Sequence, residues 1–179
     1  TYVGWKEKCK NNYKNGLDEN KKIIIAQSWV RTEKNPLECV TDKCHLTGDY
    51  YKDLETQLKE PIELYGKNNK IYILGELPKP KDKTSIICLR SEILTGVKQH
   101  CNSISEPVAE SKRVNKILKK LTSNYDNVVF IDLTGVFCNE KVCDYALNGK
   151  ALFMPDGGHL SGYGSEIAWN YVVNHIKSN

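Results

Sequence analysis

The chain has 179 residues, 40% of them hydrophobic, so it is long enough to bury a substantial core and lacks the composition of a disordered segment. Its 26 Lys and Arg against 22 Asp and Glu give a net charge of only +4 with both signs interspersed, which argues against a dedicated nucleic-acid-binding face. No run approaches the ~18 apolar residues of a membrane span, and Thr1 does not open a signal peptide. We therefore expect a soluble domain or a piece cut from a larger protein.

The first half of the chain predicts a strand, a helix and a second strand. The β-branched apolar run 22–27 is typical of a buried parallel strand, as is the run 70–74. Between these runs, apolar residues at helical spacing predict a helix over 50–65, with one face formed by Leu54, Leu58, Ile62 and Tyr65. Pro61 lies inside this helix and is expected to kink it or to divide it into two pieces.

The second half repeats the alternation. A helix is predicted over 107–121, with an apolar face formed by Val114, Ile117, Leu118 and Leu121. The apolar run 127–131 predicts another strand, and the last helix is expected to begin with Ser161 as its N-cap and to run through Ile176. Strands that alternate with helices in this way indicate an α/β sandwich around a parallel sheet.

The loops that follow the strands are where the chemistry is expected, because ligands of open α/β sheets bind beyond the carboxyl ends of the strands. Three loops occupy such positions: 27–31, 75–80, and the segment from Asp132 to Cys143. The chain contains no phosphate-binding glycine loop, so a nucleotide enzyme is not expected.

The seven cysteines are typical of an oxidising compartment outside the cytoplasm. Their spacing favours three local disulfides, and these are Cys39–Cys44, Cys88–Cys101 and Cys138–Cys143. Cys9 is then left to pair with a partner elsewhere. A zinc site is the alternative, since Cys-x4-Cys occurs twice and His45 follows Cys44, although zinc sites more often use shorter cysteine spacings.

The segment 154–161, Met-Pro-Asp-Gly-Gly-His-Leu-Ser, places a carboxylate and an imidazole three residues apart at the start of a helix. Gly157 and Gly158 can adopt positive φ without steric cost, so the chain can turn sharply and bring Asp156 and His159 together. Asp156 would then accept a hydrogen bond from one ring nitrogen of His159, and the other nitrogen would be available to deprotonate a serine. The alternative is a plain turn before a helix, in which Asp156 satisfies only backbone donors.

This segment resembles the final conserved block of SGNH-type serine esterases and acetyltransferases. More narrowly, the chain resembles the extracytoplasmic SGNH domain fused to acyltransferase-3 membrane proteins. The matching segments cover most of the chain and are, in order, Ile23–Ile25 with Ser28–Trp29, Ile71–Leu74 with Glu76–Pro78, Cys88, Cys101, Asp132, Cys138, Cys143 and 152–161. The resemblance implies a three-layer α/β/α fold, SGNH hydrolase-like and flavodoxin-like, braced by disulfides and formed by a single domain over residues 1–179.

The resemblance also implies transfer of an acyl group, usually acetyl, to a hydroxyl of a cell-surface polysaccharide through an acyl-serine. A fused or adjacent membrane acyltransferase domain would deliver the acyl donor, and the domain would be extracytoplasmic, either periplasmic or at the cell surface. By this analogy His159 acts as the general base and Asp156 orients it. The implied reaction needs no metal and no other cofactor, and nucleic acid is not an expected partner.

Two blocks of the family pattern are missing from the chain. Gly-Asp-Ser, which carries the nucleophile, does not occur, and we interpret the nearest fragment, 48–50, as structural because it opens a helix. The Gly-x-Asn-Asp block is also absent, so the candidates to contact the substrate or its oxyanion are Gln27, Ser28 and Trp29 at the end of the first predicted strand. We expect the first strand and the nucleophile turn to lie upstream of this chain, with Cys9 bonded to a cysteine there.

Two alternatives remain open from the sequence. Ser28 is the alternative nucleophile within the chain, because it follows a strand. A non-catalytic, disulfide-braced module of the same fold, which binds glycan or protein without turnover, is the alternative function. A Gly-Asp-Ser sequence immediately upstream would favour the enzyme, and its absence would favour the module.

Overall fold

The computed structural model describes residues 20–30, 47–81, 84–98, 104–139 and 142–178. The strands are β1 (Lys22–Ile25), β2 (Lys70–Leu74), β3 (Ile104–Ser105), β4 (Val128–Ile131), β5 (Cys143–Asp144), β6 (Ala146–Leu147) and β7 (Lys150–Ala151). The helices are α1 (Tyr50–Gly66), α2 (Thr84–Thr95), α3 (Ala109–Thr122), α4 (Thr134–Phe137) and α5 (Gly162–Ser178). The predicted alternation of strands and helices, and with it the α/β fold class, is confirmed.

A parallel sheet with the strand order β1-β2-β4 carries the three predicted strands. β1 pairs in parallel with β2, from Lys22 opposite Lys70 to Ile25 opposite Ile73. The amides of Ile71 and Gly75 donate to the carbonyls of Asn127 and Ile131 at the same sequence offset, which is the parallel pattern between β2 and β4. The carboxyl ends of the three strands therefore meet at one edge of the sheet.

β1 is less buried than the sequence predicts, and it ends at Ile25 rather than at Gln27. Its residues alternate between exposed and half-buried, and 39% of Ile24 is exposed. In the central strand β2, by contrast, Ile71, Tyr72 and Ile73 are completely buried. The difference follows from position, because β1 lies at the end of the described strand order and has a described neighbour on one side only.

The described residues fall into two compact units. The first comprises the described residues within 1–26, 31–73 and 117–130, and the second comprises those within 27–30, 74–116 and 131–179. Every functional candidate that the structure describes lies in the second unit.

In the first unit, α1 buries the predicted face, which consists of Leu54, Leu58, Ile62 and Tyr65. The helix runs unbroken through Pro61, so the expectation of two pieces is wrong. Asp49 is its N-cap, and its carboxylate accepts hydrogen bonds from the amides of Tyr51 and Lys52. The fragment 48–50 is therefore structural, as predicted.

In the second unit, a core cluster holds the segments that flank the candidate site. Its fully or largely buried members are Ile86, Phe137, Cys143, Tyr145, Leu152, Phe153 and Ala168. α5 contacts both α4 and β7, and α2 contacts β7. The Ser161 hydroxyl accepts the amide of Gly164 at 3.0 Å, which confirms Ser161 as the N-cap of α5.

The predicted disulfide Cys138–Cys143 is confirmed, with the two Cα atoms 3.8 Å apart. Cys88 is also in a disulfide, but its partner lies outside the described residues. The predicted pair Cys39–Cys44, the predicted partner Cys101, and Cys9 all lie outside the described residues as well. No helix in the described part of the chain is long and apolar enough to cross a membrane.

Candidate active site

A short hairpin carries Asp156 and His159. The chain reverses between Leu152 and Ser161: the Ser161 amide donates to the Leu152 carbonyl at 2.9 Å, and the Met154 amide donates to the His159 carbonyl at 2.8 Å. Gly157 adopts φ = 67°, a left-handed conformation that glycine tolerates without steric cost. Gly158, in contrast, is not among the residues with positive φ, so the turn depends on Gly157 alone.

The hairpin brings the two predicted side chains into contact. The Nδ1 atom of His159 lies 2.6 Å from Oδ2 of Asp156. The other carboxylate oxygen of Asp156 accepts the amide of Gly158 at 2.7 Å and the amide of His159 at 3.0 Å. The carboxylate thus satisfies backbone donors and contacts the imidazole at the same time, so Asp156 does more than satisfy the backbone donors of a plain turn.

The hydrogen bonds keep Asp156 ionised. The side-chain bond from His159, followed by the amides of Gly158 and His159, lowers the pKa of the Asp156 carboxyl from 3.8 to about 2. Because the carboxylate carries no proton at neutral pH, the shared proton lies on Nδ1 of His159. The Nε2 atom of the neutral ring then presents a lone pair, and the His159 side chain is 82% exposed and accessible to a partner group.

The start of α5 holds the hairpin against β7. The Ser161 hydroxyl donates to the Ala151 carbonyl at 2.6 Å while it caps the helix. Gly164 lies so close to the hairpin that a Cβ atom placed there would be 2.0 Å from the carbonyl oxygen of Leu152. The position of the Asp156–His159 pair therefore depends on a close approach that only glycine allows at residue 164.

The buried carboxylate of Glu76 joins two of the three predicted loops. Glu76 follows β2, and only 2% of it is exposed. Its Oε2 atom accepts the backbone amides of Trp29 and Val30, the latter at 2.7 Å. Its Oε1 atom lies 3.2 Å from Nζ of Lys79. The loop after β1 is thus fastened to the loop after β2.

Asn115 of α3 joins the third loop to the backbone of Glu76. Its Oδ1 atom accepts the Glu76 amide at 2.6 Å, and its Nδ2 donates to the Glu76 carbonyl at 3.0 Å. The same Nδ2 donates at 3.1 Å to the hydroxyl of Thr134, the first residue of α4 in the segment that follows β4. The loops predicted to carry the chemistry are therefore brought together by two buried polar side chains.

The three candidate substrate or oxyanion residues have different surroundings. Trp29 is completely buried; its indole N–H donates to the Leu74 carbonyl at 2.7 Å and its backbone amide donates to Glu76, so both N–H groups are engaged within the protein. Gln27 and Ser28 are exposed. The Ser28 hydroxyl accepts a hydrogen bond from Nζ of Lys79 at 3.1 Å.

A shared core connects the Glu76 loop to the hairpin. Leu77, next to Glu76, packs on the cluster that contains Phe153, and so does Leu160 beside His159. The hydroxyl of the buried Tyr145 donates to the Pro78 carbonyl at 3.0 Å, and burial raises the pKa of the Tyr145 phenol well above its usual value. Both loops therefore rest on one packed aromatic and aliphatic support.

Sequence reasoning singled out the loop 75–80 but missed the roles of Glu76, Lys79 and Asn115. One signal was available: Asn115 lies next to Val114 and three residues before Leu118, within the apolar face of α3, where an amide needs buried partners. Glu76 likewise stands between a buried strand and the apolar residues Leu77 and Pro78.

The Cys138–Cys143 disulfide excludes one of the two Cys-x4-Cys pairs as a source of zinc ligands. Cys138 and Cys143 are bonded to each other and so do not act as thiolate ligands. Cys39, Cys44 and His45 lie outside the described residues. Within the described ranges, no group of three or more His, Cys, Asp or Glu side chains is arranged to hold a metal ion.

Comparisons with known proteins place the chain in a family. The chain is similar to the periplasmic domain of a lipopolysaccharide acetyltransferase from Salmonella ser. Paratyphi A, with 20% identity and a TM-score of 0.50 over 71% of this chain and 49% of that chain. It also matches a structure from Streptococcus pneumonia whose description names a platelet activating factor, with 16% identity and a TM-score of 0.44 over 71% of this chain and 50% of that chain. The chain thus spans about half the length of the solved chains it matches, and no curated protein sequence matches it. The family model described as SGNH domain (fused to AT3 domains) matches residues 2–170, and the chain therefore belongs to this family.

Proposed function

We propose that this chain is most of an extracytoplasmic acyltransferase or esterase domain that modifies hydroxyls of a cell-envelope polysaccharide, with acetyl as the usual acyl group. The contact between Nδ1 of His159 and Oδ2 of Asp156, at 2.6 Å, carries the proposal. It holds the imidazole in the tautomer whose Nε2 can act as a general base. Membership of a family of SGNH domains fused to AT3 domains supports the same chemistry.

In the proposed reaction, Nε2 of His159 removes the proton of a serine hydroxyl as the serine oxygen attacks the acyl carbonyl. The protonated imidazole returns that proton to the leaving group, and an acyl-serine remains. Nε2 then removes the proton of a sugar hydroxyl, which attacks the acyl-serine, and the proton passes to the departing serine oxygen. Water in place of the sugar gives hydrolysis.

Asp156 supports the protonated form of the imidazole. Its ionised carboxylate stabilises the imidazolium that forms at each step, because the two side chains form a short, charge-assisted hydrogen bond. The low pKa of Asp156, about 2, keeps this charge in place at neutral pH.

The nucleophilic serine is proposed to lie outside this chain, in the upstream family block with its strand, so that residues 1–179 form one domain only together with that block. The acyl donor is proposed to come from a fused or adjacent membrane acyltransferase domain, which the family description supports. The acceptor is a polysaccharide, the location is periplasmic or at the cell surface, and Cys9 pairs with a cysteine outside the chain. Neither a metal nor another cofactor takes part in this proposal.

Turnover of an aryl acetate by the full-length protein tests the proposal. We expect His159→Ala to lower kcat/KM by about 100-fold or more, since a positioned general base contributes roughly 10²–10⁴-fold. His175→Gln is the matched control, because His175 lies in the last turn of α5 and its Nδ1 contacts the Tyr171 carbonyl of the same helix at 3.0 Å. We expect this control to retain wild-type turnover.

Two results would contradict the proposal. Equal turnover in wild type and His159→Ala would remove His159 from the mechanism. A folded full-length protein with no turnover, on aryl acetates or on acylated glycans, would favour the non-catalytic binding module of the same fold.

A further inference from the structure

The Glu76 carboxylate is buried and has little contact with solvent. Only 2% of the residue is exposed, and burying a carboxylate is costly unless it is paired and hydrogen-bonded. Its two oxygens are fully used: one accepts the amides of Trp29 and Val30, and the other pairs with Lys79. An apolar side chain could not accept hydrogen bonds from these three donors, so the carboxylate oxygens order the loop after β1.

The carboxylate is itself held firmly. Asn115 contacts both the amide and the carbonyl of Glu76, at 2.6 and 3.0 Å, and both residues are buried. A group that fixes the geometry of a site needs a rigid support of this kind. Glu76 therefore acts as a fixed point to which residues 29 and 30 are fastened.

The visible result of this arrangement is the placement of Ser28. The amides of the two following residues point at Glu76, and the Ser28 side chain is exposed. Nζ of Lys79, paired with Glu76, donates to the Ser28 oxygen at 3.1 Å. As a donor within the described residues, the Ser28 hydroxyl has only the Val30 carbonyl, whose oxygen lies 3.5 Å from Oγ, at the limit of a hydrogen bond. An ammonium on the oxygen polarises the hydroxyl and strengthens it as a donor.

We propose that Glu76 and Lys79 are positioning residues that hold the Ser28 hydroxyl as a hydrogen-bond donor to the acyl oxygen of the substrate. The inference rests on the proposed function, because it needs an acyl group at this edge of the sheet. The chain lacks the Gly-x-Asn-Asp block, and the Trp29 and Val30 amides already donate to Glu76. The Ser28 hydroxyl would then supply the hydrogen bond to the acyl oxygen.

The first measurement is amide hydrogen exchange of the full-length protein, which does not depend on activity. We expect Glu76→Leu to speed exchange at Trp29 and Val30 by about 10-fold or more, because their acceptor is lost. Glu76→Gln keeps a carbonyl oxygen and should stay close to wild type. Glu106→Gln is the control, since Glu106 is an exposed glutamate that pairs with Lys81 at 3.6 Å. Unchanged exchange in Glu76→Leu would overturn the proposal.

The second measurement is a double-mutant cycle on aryl acetate turnover. We expect Ser28→Ala and Glu76→Leu each to lower kcat by about 10- to 100-fold with KM within about threefold, and the double variant to be no slower than Ser28→Ala alone. Glu76→Gln should restore part of the rate. Additive losses would show that Glu76 acts independently of Ser28 and would overturn the proposal.

A further variant keeps the proposal testable if Glu76→Leu does not fold. Lys79→Met removes the ammonium from Ser28 and leaves the amide contacts of Glu76 in place, and it should lower kcat in the wild-type background but not in Ser28→Ala. Wild-type kcat in a folded Lys79→Met protein would overturn the role of Lys79. Failure of the proposed function itself is recognised separately, because His159→Ala would then turn over as fast as wild type.

Discussion

At the scale of single residues, Asp156 and His159 form a coupled pair whose coupling can be measured. The largest cause of the low pKa of Asp156 is the hydrogen bond from the His159 side chain, and the two backbone amides contribute less. We expect His159→Ala to raise the pKa of the Asp156 carboxyl from about 2 toward 3.8, but not fully to it, because both amides remain. A carboxyl ¹³C NMR titration measures this shift, and an unchanged pKa would contradict the observed contact.

The lowered pKa of Asp156 also determines how the free energy of unfolding depends on pH. The pKa of Asp156 is lower in the folded protein than the usual aspartate value of 3.8, so the folded state binds this proton less tightly than the unfolded state. The stabilising contribution is therefore fully present above pH 3.8 and is lost as the pH falls toward about 2. We expect Asp156→Asn to flatten the pH dependence of urea denaturation in this window, whereas a wild-type slope would show that other carboxylates dominate it.

Gly157 and Gly158 provide a matched pair for the turn itself. Gly157→Ala places a side chain at φ = 67° and should lower the free energy of unfolding by about 1 kcal/mol. Gly158→Ala should be tolerated, because the added Cβ lies at an ordinary 3.7 Å from Oδ1 of Asp156. Urea denaturation of both variants is the measurement, and a larger loss in Gly158→Ala would contradict the turn geometry.

At the scale of elements, the start of α5 determines where the hairpin lies. Gly164→Ala would drive a Cβ to 2.0 Å from the Leu152 carbonyl and separate the helix from the hairpin. We expect it to lower the free energy of unfolding by roughly 1–3 kcal/mol, the usual range for overpacking, and to lower aryl acetate turnover as well.

Gly162→Ala is the control for this change, since no atom lies within 4 Å of a Cβ at that position. It should leave the free energy of unfolding unchanged or raise it by up to about 1 kcal/mol, as alanine is the better helix former. Equal effects of the two substitutions would contradict the close contact at Gly164.

The helix α2 was not predicted from the sequence. Its sequence, 84–95, carries large apolar residues on more than one face: Ile86 and Leu89 are buried, whereas 57% of Ile87 and 72% of Leu94 are exposed. A helix without a single apolar stripe gives no clear 3.6-residue period. α1 and α3 were recognisable because their apolar residues do follow one stripe.

At the scale of the whole molecule, cysteine pairing tests two predictions. One is that the protein resides in an oxidising compartment, and the other is that Cys9 joins this chain to the rest of the domain. Alkylation of the unfolded, unreduced full-length protein should leave Cys88, Cys138 and Cys143 unlabelled, because all three are in disulfides. Peptide mapping should also find the predicted pairs Cys39–Cys44 and Cys88–Cys101, with Cys9 joined to a cysteine outside residues 1–179. A link from Cys9 to Cys88 would contradict both the predicted local pairing and the proposed partner of Cys9.

Features that depend on near neighbours in the chain could be predicted from the residue order. Helical periodicity predicts the buried face of α1, and capping chemistry predicts Ser161 as an N-cap. A glycine turn within a three-residue spacing predicts the contact between Asp156 and His159. Interactions of this kind are set by local geometry, so the residue order is enough to predict them.

Contacts between residues far apart in the sequence could be identified only from the folded structure. Glu76 meets Trp29 at a separation of 47 residues and Asn115 at 39, and no local pattern requires either pair. The partial exposure of β1 likewise depends on which strands lie beside it rather than on its own isoleucines. Packing selects these partners, because a buried charge or amide takes whichever donor or acceptor the folded chain brings within reach.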